Sequence, residues 1–484
     1  FLRPAMAWIG PSNSFNNARL SVSRRSLSTL VPPQSDPRLP WKLTKNFAAM
    51  SVLVAVCDAS VDTPAGFATS LLDPHVAQIG TGFLCLCMVL SSLFVAPHVV
   101  SFFGAKGGLV VGISLATSYA ALFGSATLEE PGSDEQWAVY LLACFCTGTG
   151  AGVMWTAQGV FFSNTCAAMS DGDMPSILTS DGESAVREAV TAALGGRFAA
   201  VYLFMDVGFK LVASLMQGSM LGWHFGNPII SVSGMFFLFA CLSGGAGILL
   251  AVFVRAPPPA PASMLKASCA PPAFRLWHRP ELWCLGLVNF TFGFCAAFMN
   301  GYVNGSLTRR NSVLGVGSIG TLMALTSLTA AGCSLLFGVV AQNIGKGPVI
   351  AFGAIAFVVI PAAVLVGKPD YSNDYWGSSL IFLYLLQGVG RSVYESTNRA
   401  VFADFFPGSL NTSAFANCIM QAGLAFFLSF MIQSFSNGTV LAVIVLILAG
   451  MVVPGHIVAR RYRRKPLADG SPSSSLGGPS SYRY

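Results

Sequence analysis

The chain has 484 residues, of which 54% are hydrophobic and only 10% charged, with a mean hydropathy of +0.64 and a formal charge of +7. Soluble domains carry roughly a quarter charged residues, so this composition excludes a water-exposed globular protein, and the apolar runs do not alternate as those of a β-barrel would. Lys and Arg gather at helix ends and tails, as topology signals do, which removes nucleic acid as the partner.

The chain opens on Phe1 rather than Met, so its true start is expected to be missing or processed. Up to Ser35 it carries Arg3, Arg19, Arg24 and Arg25, many serines and no acid. This reads either as a disordered cytosolic tail or as an organelle-targeting segment. Spanning the bilayer takes about 20 apolar residues as a helix, since the backbone must satisfy its own polar groups there. Twelve such runs follow, at roughly 47–72, 77–97, 107–126, 137–163, 193–221, 228–254, 282–303, 316–341, 348–366, 378–405, 414–435 and 440–459. The first is the weakest, because Asp58 and Asp62 interrupt it and Pro64 should bend it.

This predicts a tail at 1–43, a six-helix bundle at 44–254, a Pro-rich linker at 255–281, a second bundle at 282–460 and a disordered Ser/Gly/Pro-rich tail at 461–484. The basic residues of both tails and of the linker, including Arg24, Arg255, Lys266, Arg279 and Arg460 to Lys465, then fall on one side, which is expected to be cytoplasmic. The last run, Arg460 to Lys465, is expected to meet anionic lipid. The acidic loop Glu129–Glu135 and two glycosylation sequons, at Asn304 and Asn437, fall on the other side. Arg309 and Arg310 run against this assignment.

An internal repeat at an offset of 240 positions joins the two halves. Lys106-Gly107 aligns with Lys346-Gly347, Gly148 and Gly150 with Gly388 and Gly390, Trp155 with Glu395, Gln158 with Asn398 and Phe162 with Phe402. Phe198-Ala199 then pairs with Phe415-Ala416, which implies an insertion in the first half, expected in a polar loop over Ser170–Glu188. Two such halves imply a pseudo-twofold molecule with its site between them. Gly148 and Gly152 form a small-xxx-small step for close helix approach.

The stretch Gly148 to Phe161, GTGAGVMWTAQGVF, resembles the fourth-helix signature of the uncoordinated-93-like (ion channel regulatory protein-like) branch of the major facilitator superfamily. Gly388 to Phe402 resembles its tenth-helix counterpart, and Ser413 to Asn417 the start of its eleventh helix. Gly104-Ala-Lys106 is similar to the loop between its second and third helices. Glu395 departs from the pattern, since many relatives carry an aromatic there. The resemblance implies an all-α polytopic membrane protein of about twelve transmembrane helices, in two pseudo-symmetric six-helix bundles with the first, fourth, seventh and tenth lining a central cavity. It implies either a transporter or a regulator or escort of channels and receptors.

Ionisable groups inside a span cost about 2.5–3.5 kcal/mol each on insertion scales, so those retained face protein or water. Arg391, Glu395 and Arg399 recur at i, i+4 and i+8 on the tenth span, either as a structural ladder or as a titrating site between two cationic anchors. Trp155 and Gln158 suit stacking and hydrogen bonding of a polar organic solute, with Asn398 opposite. Asp206 and Lys210, one turn apart, are expected to neutralise each other. Asp58 lacks a partner in its own helix, which makes it a candidate proton or cation ligand, and Asn289 and Asn300 are polar cavity candidates. No phosphate-binding Gly-rich loop, no zinc-protease His pair and no nucleophile elbow occurs. The twelve cysteines form no C-x-x-C pair. The expectation is therefore a multi-pass membrane protein without enzymatic role, metal or cofactor, in a plasma, endo- or organelle membrane. It moves a small solute, with proton coupling through Glu395 or Asp58 as one option, or else it serves a channel or receptor partner.

Overall fold

A computed structural model describes residues 39–172, 180–216, 219–220, 223–224, 230–258, 272–367, 376–435 and 438–464. Most of both tails, the sequon at Asn437 and residues 259–271 of the Pro-rich linker lie outside the described residues.

Among the described residues, ten stretches are long and apolar enough to cross a bilayer on length and composition alone. One of them, Pro74–Ala126, is two spans broken at Gly104, whose φ of 71° turns the chain back on itself. A twelfth helix, at 377–405, escapes a hydropathy criterion because it carries Arg391, Glu395, Arg399 and Asp404. The spans are α1 (Leu39–Leu71), α2 (74–103), α3 (105–126), α4 (Asp134–Gly172), α5 (Ser180–Met216), α6 (Val232–Phe253), α7 (Pro280–Thr308), α8 (Ile319–Ile344), α9 (Lys346–Gly367), α10 (377–405), α11 (Asn411–Phe435) and α12 (Gly438–Arg464). The protein is an all-α, multi-pass membrane protein, with one two-residue-per-strand hairpin, Ser219–Met220 against Trp223–His224, between α5 and α6.

The repeat seen in sequence is a repeat in packing. A side chain on Gly148 of α4 would collide with the Leu84 carbonyl of α2, and one on Gly388 of α10 would lie 2.6 Å from the Thr326 carbonyl of α8. Gly150 faces α3 in the same way, and Gly390 faces Phe357 of α9. The missing Cβ atoms let each pair of backbones approach to contact distance, where dispersion and carbonyl contacts replace the hydrophobic drive that lipid cannot supply. The turns before α3 and α9 match as well, since Gly104 and Gly345 both hold positive φ shortly before a lysine.

Other expectations are revised. Pro64 lies inside a continuous α1, so the weakest span in sequence is an unbroken helix. The insertion of the first half lengthens helices rather than a loop, because α4 runs to Gly172 and α5 already begins at Ser180. Asn304 is buried within α7 and its Oδ1 accepts the Tyr384 hydroxyl, so this sequon is not offered to glycosylation.

The halves meet along two crossings. On one, Gly196 of α5 packs against Ser334 and Gly338 of α8, where an added Cβ would sit 2.7 Å from the Ser334 carbonyl. On the other, Gly423 of α11 packs against Met88 and Val89 of α2.

Candidate functional site

A cavity lies between the halves, where space for water-sized molecules amounts to about 210 Å³. It takes Asp58 and Asp62 from α1, Trp155 from α4, Tyr202 from α5, and Arg391, Glu395 and Arg399 from α10. Its apolar wall includes Leu84, Met88, Phe292, Tyr394 and Phe426. Thr69 also lines a vestibule of about 200 Å³ with Gln78, Arg309 and Gln433, at the ends of the helices remote from the two termini. The cavity and the vestibule thus share Thr69, on the side of the seam opposite the termini.

Its charges form a network across the seam. The Lys210 ammonium reaches Asp206 Oδ2 at 2.6 Å and Asp62 Oδ2 at 2.7 Å. From the other half, Arg391 donates to Asp206 Oδ2 at 3.1 Å and to the Tyr202 hydroxyl at 3.1 Å, with Asp62 Oδ2 at 3.5 Å. Ser327 of α8 donates to the same Asp206 oxygen at 2.5 Å. Asp206 and Lys210 thus pair as their spacing suggests, but as the core of a larger cluster rather than a self-contained couple. Asp62, which has no partner in its own helix, finds one in α5.

The charged row on α10 divides. Arg399 closes on Glu395 at 2.8 Å and donates to Gln158 Oε1 of α4 at 2.5 Å, while its guanidinium lies 4.6 Å from the Trp155 ring centroid. Arg391 turns away to the α5 cluster, where two carboxylates and a hydroxyl attract it. A π-turn over Tyr394–Asn398 separates the two groups. Such insertions re-aim side chains at the cost of regular hydrogen bonding.

Of the residues singled out in sequence, Asp58, Trp155, Arg391, Glu395 and Asn300 line the cavity. Gln158, Asn398 and Asn289 are buried outside its lining. Asn398 Nδ2 donates to Asn289 Oδ1 at 2.7 Å, and Asn289 Nδ2 donates to Gln421 Oε1 at 2.7 Å, so these amides tie α7, α10 and α11 together. Sequence reasoning misses Tyr202, although it stacks on Phe198, meets Trp155 edge-on and receives Arg391. A hydroxyl among apolar neighbours carries no sequence pattern that marks it.

The opposite end of the seam is shut. Thr191 of α5 donates to Asp404 Oδ1 of α10 at 2.8 Å, and the Lys346 ammonium at the start of α9 bridges Thr191 and Asp404 Oδ2. Asp404 and Thr191 are both buried. Arg187 reaches toward the Ala403 carbonyl, and Arg463 pairs with Glu188 at 3.0 Å on the surface. Gly159 of α4 receives the Phe415 ring of α11 just above this level.

Comparison with known proteins agrees with this architecture. No family model matches the chain. It is 26% identical to protein unc-93 homolog A of Bos taurus over 387 residues, which cover 72% of this chain and 78% of that one. Its fold superposes on the fucose:proton symporter FucP of E. coli with a TM-score of 0.58 at 13% identity, covering 89% of this chain and 100% of the other. It superposes equally well, at 0.58 and 13% identity, on a bacterial homologue of the iron transporter ferroportin in an outward-facing state, covering 87% and 99% of the two chains. The resemblance suggested by the α4 and α10 signatures is thus borne out, with an unc-93-like sequence on a major facilitator fold.

Proposed function

We propose that this chain is a secondary carrier for a small solute, working by alternating access between rigid halves at 44–254 and 282–460. The observation that carries the reading is a cavity lined by charged groups of both halves, adjoining a vestibule toward one membrane face and sealed at the other. A scaffold gains nothing from retaining four acids and three bases inside the membrane, where each is costly. A carrier needs groups that exchange partners as the halves rock. The seal is suited to breaking, because a buried ion cluster and glycine crossings make up much of it. With the termini cytoplasmic, as the distribution of Lys and Arg supports, the described state faces outward.

Uptake by reconstituted protein tests this. Replacing Glu395 by Gln leaves Arg399 with an uncompensated charge beside the cavity, and the expected result is loss of most solute flux at equal amounts of reconstituted protein. Unchanged flux would remove Glu395 from the transport cycle. A near-equimolar membrane partner on purification in gentle detergent, with no flux for any solute, would instead favour a regulatory subunit.

A further inference from the structure

The charges around the cavity do not balance. Four acids, Asp58, Asp62, Asp206 and Glu395, surround or back it, against three bases, Lys210, Arg391 and Arg399. Every base is committed: Lys210 to Asp62 and Asp206, Arg391 to Asp206 and Asp62, Arg399 to Glu395. Those pairs account for three of the acids. The fourth is Asp58, only 8% exposed, which lines the cavity and whose Oδ2 meets no hydrogen-bond donor among the described residues. A carboxylate buried without a countercharge is costly, so Asp58 is a place where either a proton or a cation is taken up.

We infer that the cavity binds a small organic cation, whose ammonium group pairs with the Asp58 carboxylate. This rests on the carrier reading and specifies its substrate class. The two guanidinium charges are each offset by a carboxylate, so the uncompensated charge at the cavity is that of Asp58, although the Nε–H of Arg391 and of Arg399 meets no acceptor among the described residues. A hard metal ion wants six or more oxygen ligands, and no three His, Cys, Asp or Glu side chains converge to hold a metal among the described residues. The remaining wall is mostly apolar, apart from Asn300, Thr69, Thr81 and Thr147, and Phe292 and Tyr394 stack on it with ring centroids 3.8 Å apart. An aromatic surface beside a lone carboxylate favours a cation with an apolar body, through ring-face attraction and burial together. The available space, about 210 Å³, equals roughly seven waters at about 30 Å³ each. That admits a molecule of phenethylamine size.

Calorimetric titration of the full chain in detergent with phenethylammonium, phenethyl alcohol and phenylacetate tests the inference, since the three differ little in shape and fully in charge. The expected order places the ammonium about tenfold or more above the alcohol, the range of a charge-assisted hydrogen bond, with the carboxylate weakest. In Asp58→Asn the ammonium should fall to the level of the alcohol, whereas Asp58→Glu should keep the preference. Equal binding of all three, tighter binding of phenylacetate, or a preference that survives Asp58→Asn would overturn the assignment. Should Asp58→Asn fail to fold, the wild-type series alone still decides. Counterflow in proteoliposomes separates the two readings. An ammonium that binds but is not carried keeps the site and sinks the carrier, whereas flux of an anion without ammonium binding does the reverse.

Discussion

The two ends of the seam between the halves are built from opposite materials. At the end near the termini, Gly196 sits so close to α8 that a Cβ would lie 2.7 Å from the Ser334 carbonyl and 2.9 Å from Gly338 Cα, and Lys346, Asp404 and Thr191 close an ion cluster over it. At the far end, Gly305 lines the vestibule and a Cβ there would meet nothing within 4 Å. Both positions are glycine, yet only one needs to be. Access to the cavity is therefore set by which end lacks room, and the central network stays intact between a dry seal and a wet mouth.

Mutations that act on one end and not the other break or sharpen this contrast. The largest effect should come from Asp404→Ala. It strands the Lys346 ammonium in a buried site, a class of change that costs about 3–5 kcal/mol. The sealed state should give way to one labelled from the termini side by a water-soluble thiol reagent. Removing both partners, in Asp404→Ala with Lys346→Met, should be milder than the single change, because no uncompensated charge remains. A single variant without effect on labelling or melting temperature would show that the cluster does not hold the seal. Next comes Gly196→Val, where overpacking of a close crossing costs about 1–3 kcal/mol, while Gly305→Ala in the mouth should stay within about 0.5 kcal/mol. Equal thermal destabilisation of the two glycine variants would erase the asymmetry.

Much of this architecture is legible in the amino-acid sequence. The twelve apolar runs include α10 despite its charged residues, and the 240-residue repeat supports that reading, because Gly388 and Gly390 mirror Gly148 and Gly150. The same glycines mark the helix faces that pack. The partners of the charges are not legible. Arg391 and Asp206 are 185 positions apart, and nothing in the local pattern of either residue names the other. A face drawn at a regular helical period also misplaces Asn398, because the π-turn at Tyr394–Asn398 changes the angular register and sends its amide to Asn289 rather than to the cavity. The seal is hidden for a related reason. Lys346 stands out in the repeat, but its partner Asp404 occupies a position where the first half has Asn164, so symmetry conceals it.

The claim that most needs testing is that the halves move as bodies about the central network. Spin labels at Phe103 and Ile344, both exposed and placed at the equivalent turns of the two halves near the termini, report on it directly in a cysteine-depleted background. The account predicts two populations of inter-label distance, the shorter belonging to the sealed state and the longer enriched when Asp404→Ala removes the seal. A single distance, unchanged by that substitution and by added phenethylammonium, would contradict alternating access and leave the fold as a static membrane scaffold.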